Sequence, residues 1–118
     1  MSRLTVEKVL DRVAAIARDV AAPNAAKVDA EAIWPEPTIR ALQEAELGGL
    51  VVPESLGGCG YGLAALVQVC ELLGRECASS ALCFGMHCVG TAVLAAKPKA
   101  EQAERYLCLL YTSPSPRD

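Results

Sequence analysis

The apolar and polar residues of this chain alternate with the period of an α-helix over most of its length. From Thr5 to Val20 the apolar residues recur at intervals of three and four, which places them in one stripe along a helix. Thr5 can cap the N-terminus of this helix. Pro23 cannot continue a regular helix, so we expect a second, short helix from Asn24 to about Glu31.

Proline and glycine residues mark the helix ends and the loop in the middle of the chain. The prolines between Trp34 and Pro37 suit the start of a third helix, which we expect to end near Glu46 at the glycine pair that follows. A brief extended stretch is expected at positions 50–52, followed by a glycine-rich loop at 53–60. This loop lacks the Lys-Ser/Thr ending of a phosphate-binding loop, so we interpret it as a turn that needs positive φ.

The second half of the chain predicts three more helices. A fourth covers positions 63–76, a fifth covers 81–96 with Ser79 and Ser80 as caps, and a sixth begins near Pro98. The side of the fourth helix that we expect to face the core carries Leu63, Leu66, Val67, Cys70, Leu73 and Cys77. The chain is therefore predicted to be all-α, a bundle of about six helices.

The fifth predicted helix has apolar residues on every face, which predicts burial all round. A domain of this size buries only part of its own surface, so we expect more protein around this helix than the chain supplies. The apolar stretch is interrupted by polar residues and falls short of the roughly 20 residues of a membrane span. We therefore expect no membrane span.

Composition and charge argue against several classes of function. The net charge is −3 and there is no basic run, which argues against binding to nucleic acid or to an anionic membrane. The first residues alternate charged and apolar positions and do not form the apolar core of a signal peptide. We therefore expect a cytoplasmic protein.

Cysteine and histidine are the residue types here that could bind a transition metal. The six cysteines form no C-x-x-C pair and mostly lie on apolar helical faces, so we interpret them as buried thiols. Cys83 and His87 would share a helical face, but zinc requires four ligands and nothing nearby completes the set. We predict no metal site and interpret His87 as a hydrogen-bonded helix residue.

The last residues of the chain, Cys108 to Asp118, differ in composition from the rest. Helix-forming residues give way to a Ser-Pro-Ser-Pro run, which cannot continue a helix. A transposase-type sequencing adaptor, read in one frame, encodes this whole segment; the alternative is an ordinary disordered terminus. We therefore divide the chain into a helical domain at 1–107, incomplete at its C-terminus, and an adaptor-encoded tail at 108–118.

Several short motifs follow one another in an order that is specific in combination, although no single motif is. They are Ala21-Ala22-Pro23, Val28-Asp29, the stretch Leu47–Glu54, the stretch Leu56–Gly60, the stretch Cys70–Arg75, Ser79-Ser80 and the stretch Glu101–Leu107. In this order they resemble the N-terminal domain of the acyl-CoA dehydrogenase family. The resemblance covers about Leu10 to Leu107.

The resemblance implies a larger protein in which a β-domain and a second helical bundle follow this domain. FAD and an acyl-CoA thioester would bind between those two later domains, and this domain would cover the fatty end of the substrate. A carboxylate base in the later bundle would take the α-proton while hydride leaves the β-carbon for the flavin. The implied partners are an electron-transfer flavoprotein or another acceptor, and the full-length protein is expected to be a homo-oligomer.

The resemblance also implies which residues meet the substrate. In the family, the helix that corresponds to 80–96 lines the floor of the acyl cavity, where Ala81, Leu82, Phe84 and Gly85 would lie here. Core packing alone is the other interpretation of these four residues. No catalytic residue is assigned to this chain, because the implied base lies beyond Leu107, and we expect the chain alone to be inactive.

Two alternatives to a dehydrogenase domain follow from the sequence. A flavin-dependent monooxygenase can carry the same helical domain, and the later carboxylate base would distinguish the dehydrogenase from it. A free-standing helical interaction domain would need a self-sufficient core. The apolar fifth helix argues against that second alternative.

Overall fold

The computed structural model describes residues 4–96, and the regular elements in this range are all helical. This confirms the prediction of an all-α fold. The five α-helices are α1 (Val6–Ile16), α2 (Ala22–Glu31), α3 (Glu36–Glu44), α4 (Leu63–Glu76) and α5 (Ala78–Ala96). A π-helical turn (Ala17–Ala21) joins α1 to α2, and a 3₁₀ turn (Glu54–Leu56) lies between α3 and α4. The helix expected near Pro98 and the tail at 108–118 lie outside the described residues.

The prediction that Pro23 separates two helices is wrong, because the chain stays helical from α1 through α2. A π-helical turn precedes the proline, and the N–H of Ala22 there donates to the carbonyl of Ala17, five residues back. The side-chain amide of Asn24 donates to the carbonyl of Val20 over 2.7 Å. Wider turns of this kind let a helix pass a proline without losing all of the nearby hydrogen bonds.

The core lies where α4 packs against α5 and α1, with α3 closing it from the side. Its largest fully buried side chain is Phe84, which comes from α5. The buried members of the main cluster are Val9, Val13, Ala17, Leu42, Leu47, Leu50, Val69, Leu73, Phe84 and Cys88. Thr5 caps α1 as predicted, since its hydroxyl accepts from the N–H of Lys8 over 3.3 Å.

The third helix ends before the glycine pair that was expected to stop it. The chain turns at Glu46, which adopts a left-handed φ of 63° although it is not glycine. The N–H of Leu47 then donates to the carbonyl of Leu42 over 3.0 Å. Positions 50–52 form successive turns and not the extended stretch that was predicted, since the N–H of Val52 donates to the carbonyl of Gly49.

The glycine-rich loop folds back on these turns. Cys59, Gly60 and Tyr61 donate their N–H groups to carbonyls of residues 49, 52 and 50 over 2.8 to 2.9 Å. Gly57 and Gly60 have φ of 89° and 76°, which confirms the prediction of positive φ in this loop. Glycine is needed at position 58 for a steric reason, because a Cβ there would lie 2.1 Å from the carbonyl oxygen of Val52.

Candidate functional site

The α4–α5 hairpin carries the residues that the sequence singled out, and its turn is very short. The N–H of Cys77 donates to Leu73 at the end of α4, and its carbonyl accepts from the N–H of Ala81 over 3.2 Å in the first turn of α5. Helix α5 therefore begins at Ala78. The prediction that Ser79 and Ser80 cap the helix from outside is wrong, because both lie within the first turn.

Small residues let α4 and α5 approach each other closely. A Cβ added at Gly74 would lie 3.6 Å from the Cβ of Ala81, and one added at Gly85 would lie 3.5 Å from the sulfur of Cys70. The thiol of Cys70 also donates to the carbonyl of Ala81 over 3.8 Å. These contacts make the hairpin one packed unit.

The two helices bury the same side in the core and expose the opposite side. Val69 and Leu73 of α4 lie in one cluster with Phe84 and Cys88 of α5. The opposite side is apolar and open, and we call it the outer face. Its members are Leu63, Val67, Leu82, Met86, Val89 and Val93. Their exposed fractions run from 48% at Val89 to 73% at Leu63, which is high for large apolar side chains.

Two expectations about these helices need correction. Leu63 and Val67 were expected to face the core, but both are exposed. Helix α4 buries Ala65 and Val69 in their place, while Leu73 is buried as predicted. The reason is that α4 has apolar residues on two sides, and periodicity alone cannot tell which side meets the core. Helix α5 was expected to be buried all round, whereas this part of the chain covers only one of its sides.

The outer face is free of charge along α5. Nineteen consecutive residues of this helix include no Asp, Glu, Lys or Arg. With a mean hydropathy of 1.5, α5 is long and apolar enough to cross a membrane by length and composition alone. The expectation that it is too short is therefore wrong, because the helix starts three residues earlier than predicted. An apolar helix of a larger soluble core has the same length and composition.

The four predicted acyl-cavity residues do not share one surface. Ala81 and Gly85 face α4, and Phe84 is buried in the core below. Leu82 alone among them points to the outer face, with 67% of its surface exposed. Their role in binding an acyl chain stays a prediction. The sequence did contain a signal for the outer face, because Leu82, Met86, Val89 and Val93 follow one another at intervals of four, three and four.

His87 lies beside the core, where a hydrogen bond connects α5 to the turn after α3. Its Nε2–H donates to the carbonyl of Gly48 over 2.7 Å, which confirms the interpretation of a hydrogen-bonded helix residue. The imidazole also stacks on Phe84, with ring centroids 6.1 Å apart. A shallow cleft beside it is lined by Ile39, Leu42, Gln43, Gly48, Phe84 and His87. Within residues 4–96, no three potential metal ligands lie close enough together to hold an ion.

Cys70, Cys77, Cys83 and Cys88 are free thiols, and burial raises the pKa of three of them. Loss of hydration is the main cause that raises the pKa of Cys88 to about 12, with smaller contributions from the neighbouring thiols of Cys70 and Cys59. Burial also raises the pKa of Cys70 and Cys83 above the ordinary thiol value. Thiols that resist ionisation are poor nucleophiles and poor metal ligands, which favours the packing role that was predicted.

The four arginines of residues 4–96 are each bonded to another group of the chain. FAD needs donors for its pyrophosphate, and the arginines in this range are bonded elsewhere. Arg12 donates to the carbonyl of Ala45, and Arg18, Arg40 and Arg75 pair with Asp19, Glu36 and Glu71. The outer face, without charge or hydrogen-bond donors along its exposed stripe, suits an apolar group.

Comparison with known proteins gives a family match over most of the chain. A sequence model described as "Acyl-CoA dehydrogenase, N-terminal domain" matches residues 5–113, past Leu107 into the predicted tail. Cyclohex-1-ene-1-carbonyl-CoA dehydrogenase of Geobacter metallireducens is 32% identical over 109 residues, which are 91% of this chain and 29% of that protein. The "Probable acyl-CoA dehydrogenase fadE25" of Mycobacterium bovis is 30% identical over 86% of this chain and 26% of its own length.

A third relative carries a different name. The 3-sulfinopropanoyl-CoA desulfinase of Paraburkholderia xenovorans is 37% identical over 65 residues, which are 55% of this chain and 17% of that protein. No solved structure matches the chain at the same level of significance. This chain therefore spans less than a third of the length of the curated relatives that it matches.

Proposed function

The chain belongs to the acyl-CoA dehydrogenase family, whose N-terminal domain it matches, and we propose that it forms one part of a longer FAD-dependent enzyme. The proposed reaction is α,β-dehydrogenation of an acyl-CoA thioester. The dehydrogenase and desulfinase relatives are both named for CoA thioesters, which supports this class of substrate. In this proposal the chain alone is inactive, and the tail at 108–118 is not part of the enzyme.

The observation that carries the proposal is the open outer face on α4 and α5. An acyl chain offers only methylene and methyl groups, and each buried methylene contributes about 0.8 kcal/mol of transfer free energy. The leucine, valine and methionine side chains of the outer face can bury such groups without leaving a polar atom unsatisfied. We therefore propose that this face covers the acyl end of the substrate and excludes water from it.

The polar parts of the substrate and the redox chemistry are assigned to later domains. The phosphates of CoA need cations, and α5 carries none. FAD, when bound by the full-length protein, would supply the hydride acceptor. The proposed carboxylate base also belongs to the later helical bundle, as the family resemblance implies.

The cellular location, the oligomeric state and the electron acceptor of the enzyme are part of the same proposal. We propose a cytoplasmic homo-oligomer that passes electrons to an electron-transfer flavoprotein or to another acceptor. The low net charge of −3 and the lack of a basic run are compatible with a small-molecule substrate.

The test is to purify the full-length protein and record its visible flavin absorbance while acyl-CoA thioesters of several lengths are added without oxygen. We expect bound FAD and bleaching by at least one thioester. The 118-residue chain, purified in parallel, should hold no stoichiometric flavin. Flavin that never bleaches with any thioester would reject the dehydrogenase and favour the related monooxygenase. Bleaching by the 118-residue chain alone would reject the proposal that later domains bind FAD and carry the catalytic base.

A further inference from the structure

His87 makes a directional contact that holds α5 in place. Against α4 the helix packs through small and apolar groups, where the sulfur of Cys70 lies beside Gly85. Hydrophobic contact is non-directional, and the thiol that donates to the carbonyl of Ala81 is a weak donor. The imidazole of His87 instead donates to the carbonyl of Gly48 over 2.7 Å, across 39 positions of the sequence.

The acceptor of this bond belongs to a turn that is itself well connected. The carbonyls of Leu47 and Gly49 on either side accept backbone N–H groups from the same turn or from the glycine-rich loop. The carbonyl of Gly48 accepts from His87. Because Gly48 is buried, loss of this donor would leave an acceptor away from water, which is costly. The bond therefore fixes α5 to a hydrogen-bonded part of the chain.

Two buried hydroxyls of α5 make no such connection. Thr91 donates to the carbonyl of Cys88 over 2.9 Å, which is a bond within the helix itself. The hydroxyl of Ser80 is buried and has no partner among residues 4–96. His87 differs from both, because its bond joins α5 to another segment.

We propose that His87 is a positioning residue for the acyl end of the substrate. Its bond sets the rotation of α5 about the helix axis, and with it the placement of Leu82 and Met86 on the outer face. Side-chain tips lie about 5–6 Å from a helix axis, so a rotation of about 20° moves them by about 2 Å. This is more than one carbon–carbon bond of about 1.5 Å. The inference rests on the proposed function, in which the outer face covers the acyl chain.

The expected consequence is a loss of affinity that depends on the length of the acyl chain. Without the bond, a long acyl chain must restore the rotation of α5 from its own binding energy, which raises KM. In the proposed function the flavin and the base belong to later domains, so kcat stays the same. A thioester too short to reach the outer face is unaffected. A general loss of stability would instead lower activity at every chain length.

The test uses two variants of the full-length protein that separate the hydrogen bond from the ring contact. His87→Phe keeps a ring that can stack on Phe84 and removes the donor. His87→Gln removes the ring and keeps an N–H donor on a side chain of similar reach. For each protein, kcat and KM are measured per bound flavin with acyl-CoA thioesters of increasing length.

We expect His87→Phe to raise KM for long thioesters about two- to tenfold, the equivalent of one hydrogen bond. Its kcat, and its KM for short thioesters, should match the wild type. His87→Gln should keep the wild-type values at every length. If His87→Phe yields no folded holoprotein, His87→Asn replaces it, because this amide is one methylene shorter than glutamine, does not reach Gly48 and should raise KM in the same way.

The outcomes separate this inference from the proposed function. Equal KM values at every chain length for the wild type and His87→Phe would overturn the inference and leave the proposed function intact. An equal rise of KM in His87→Gln and His87→Phe would also overturn it, since packing of the ring and not the hydrogen bond would then matter. A wild-type protein whose flavin is reduced by no thioester would overturn both.

Discussion

Gly58→Ala should be severely destabilising, although it adds only one methyl group. The new Cβ would lie 2.1 Å from the carbonyl oxygen of Val52 and 2.5 Å from its Cβ, where ordinary contact begins near 3.4 Å. Val52 cannot retreat easily, because it is fully buried against Leu56, Leu94 and Ala95. The backbone must therefore separate by about 1.3 Å at this point, the difference between 3.4 and 2.1 Å.

The magnitude follows from what this separation breaks. Forcing an extra methyl group into a packed site costs about 1–3 kcal/mol. The Val52 carbonyl accepts from the N–H of Gly60 over 2.8 Å, and losing a buried hydrogen bond costs about 1–3 kcal/mol more. A total of about 2–6 kcal/mol corresponds to a fall in Tm on the order of 10 to 30 °C for a domain of this size.

The assay is thermal unfolding followed by circular dichroism, with Gly62→Ala as the matched control. Gly62 has no heavy atom within 4 Å of an added Cβ, and its φ of −109° is open to alanine. We expect the control to unfold within about 1 kcal/mol of the wild type, because a small gain in chain entropy offsets a slightly poorer cap. A Gly58→Ala chain that unfolds at the same temperature as Gly62→Ala would refute the close approach of the loop to Val52.

Three further predictions concern the core, the thiols and the tail. Phe84→Ala empties a side chain that is 2% exposed and should cost about 3–5 kcal/mol in chemical unfolding, whereas an effect below about 1 kcal/mol would mean that Phe84 is not in the core. Because burial raises the pKa of Cys88 to about 12 from an unfolded value near 8.5, its contribution to stability is complete below that lower value and is lost as the pH rises toward 12. The wild type should therefore lose stability faster than Cys88→Ala across this alkaline range, and equal slopes would contradict the burial of the thiol. The coding sequence of Cys108–Asp118 should be the adaptor string in the nucleotide record, and any other codons would remove that interpretation.

Helix positions followed from the sequence where a single local signal dominated. Helix α4 has the predicted bounds, Leu63–Glu76, because a glycine precedes it and its apolar residues recur regularly. The prediction of a helix break at Pro23 was wrong, because the free-energy cost of proline in a helix is local and a π-helical turn can accommodate it. The end of the third helix was also predicted wrongly. The left-handed turn forms at Glu46 and not at the two glycines that follow.

The candidate site was harder to predict than the helices. Whether Leu63 and Val67 face the core depends on which side of α4 meets α1 and α5, and this is decided by the whole bundle. The family resemblance directed attention to a segment of α5 that mixes three environments: Phe84 in the core, Gly85 against α4 and Leu82 on the outer face. Local sequence cannot separate these, because all three are apolar or small.

The acyl-chain profile of the full-length protein tests whether the outer face of α5 covers the acyl end of the substrate. Leu82→Trp enlarges an exposed side chain on this face, and Ala30→Trp makes a similar change on the exposed side of α2 as a control. The measurement is flavin bleaching by a series of acyl-CoA thioesters of increasing length. We expect Leu82→Trp to shift the profile toward shorter chains by several methylenes and Ala30→Trp to leave it unchanged. Identical profiles for the two variants and the wild type would contradict this expectation.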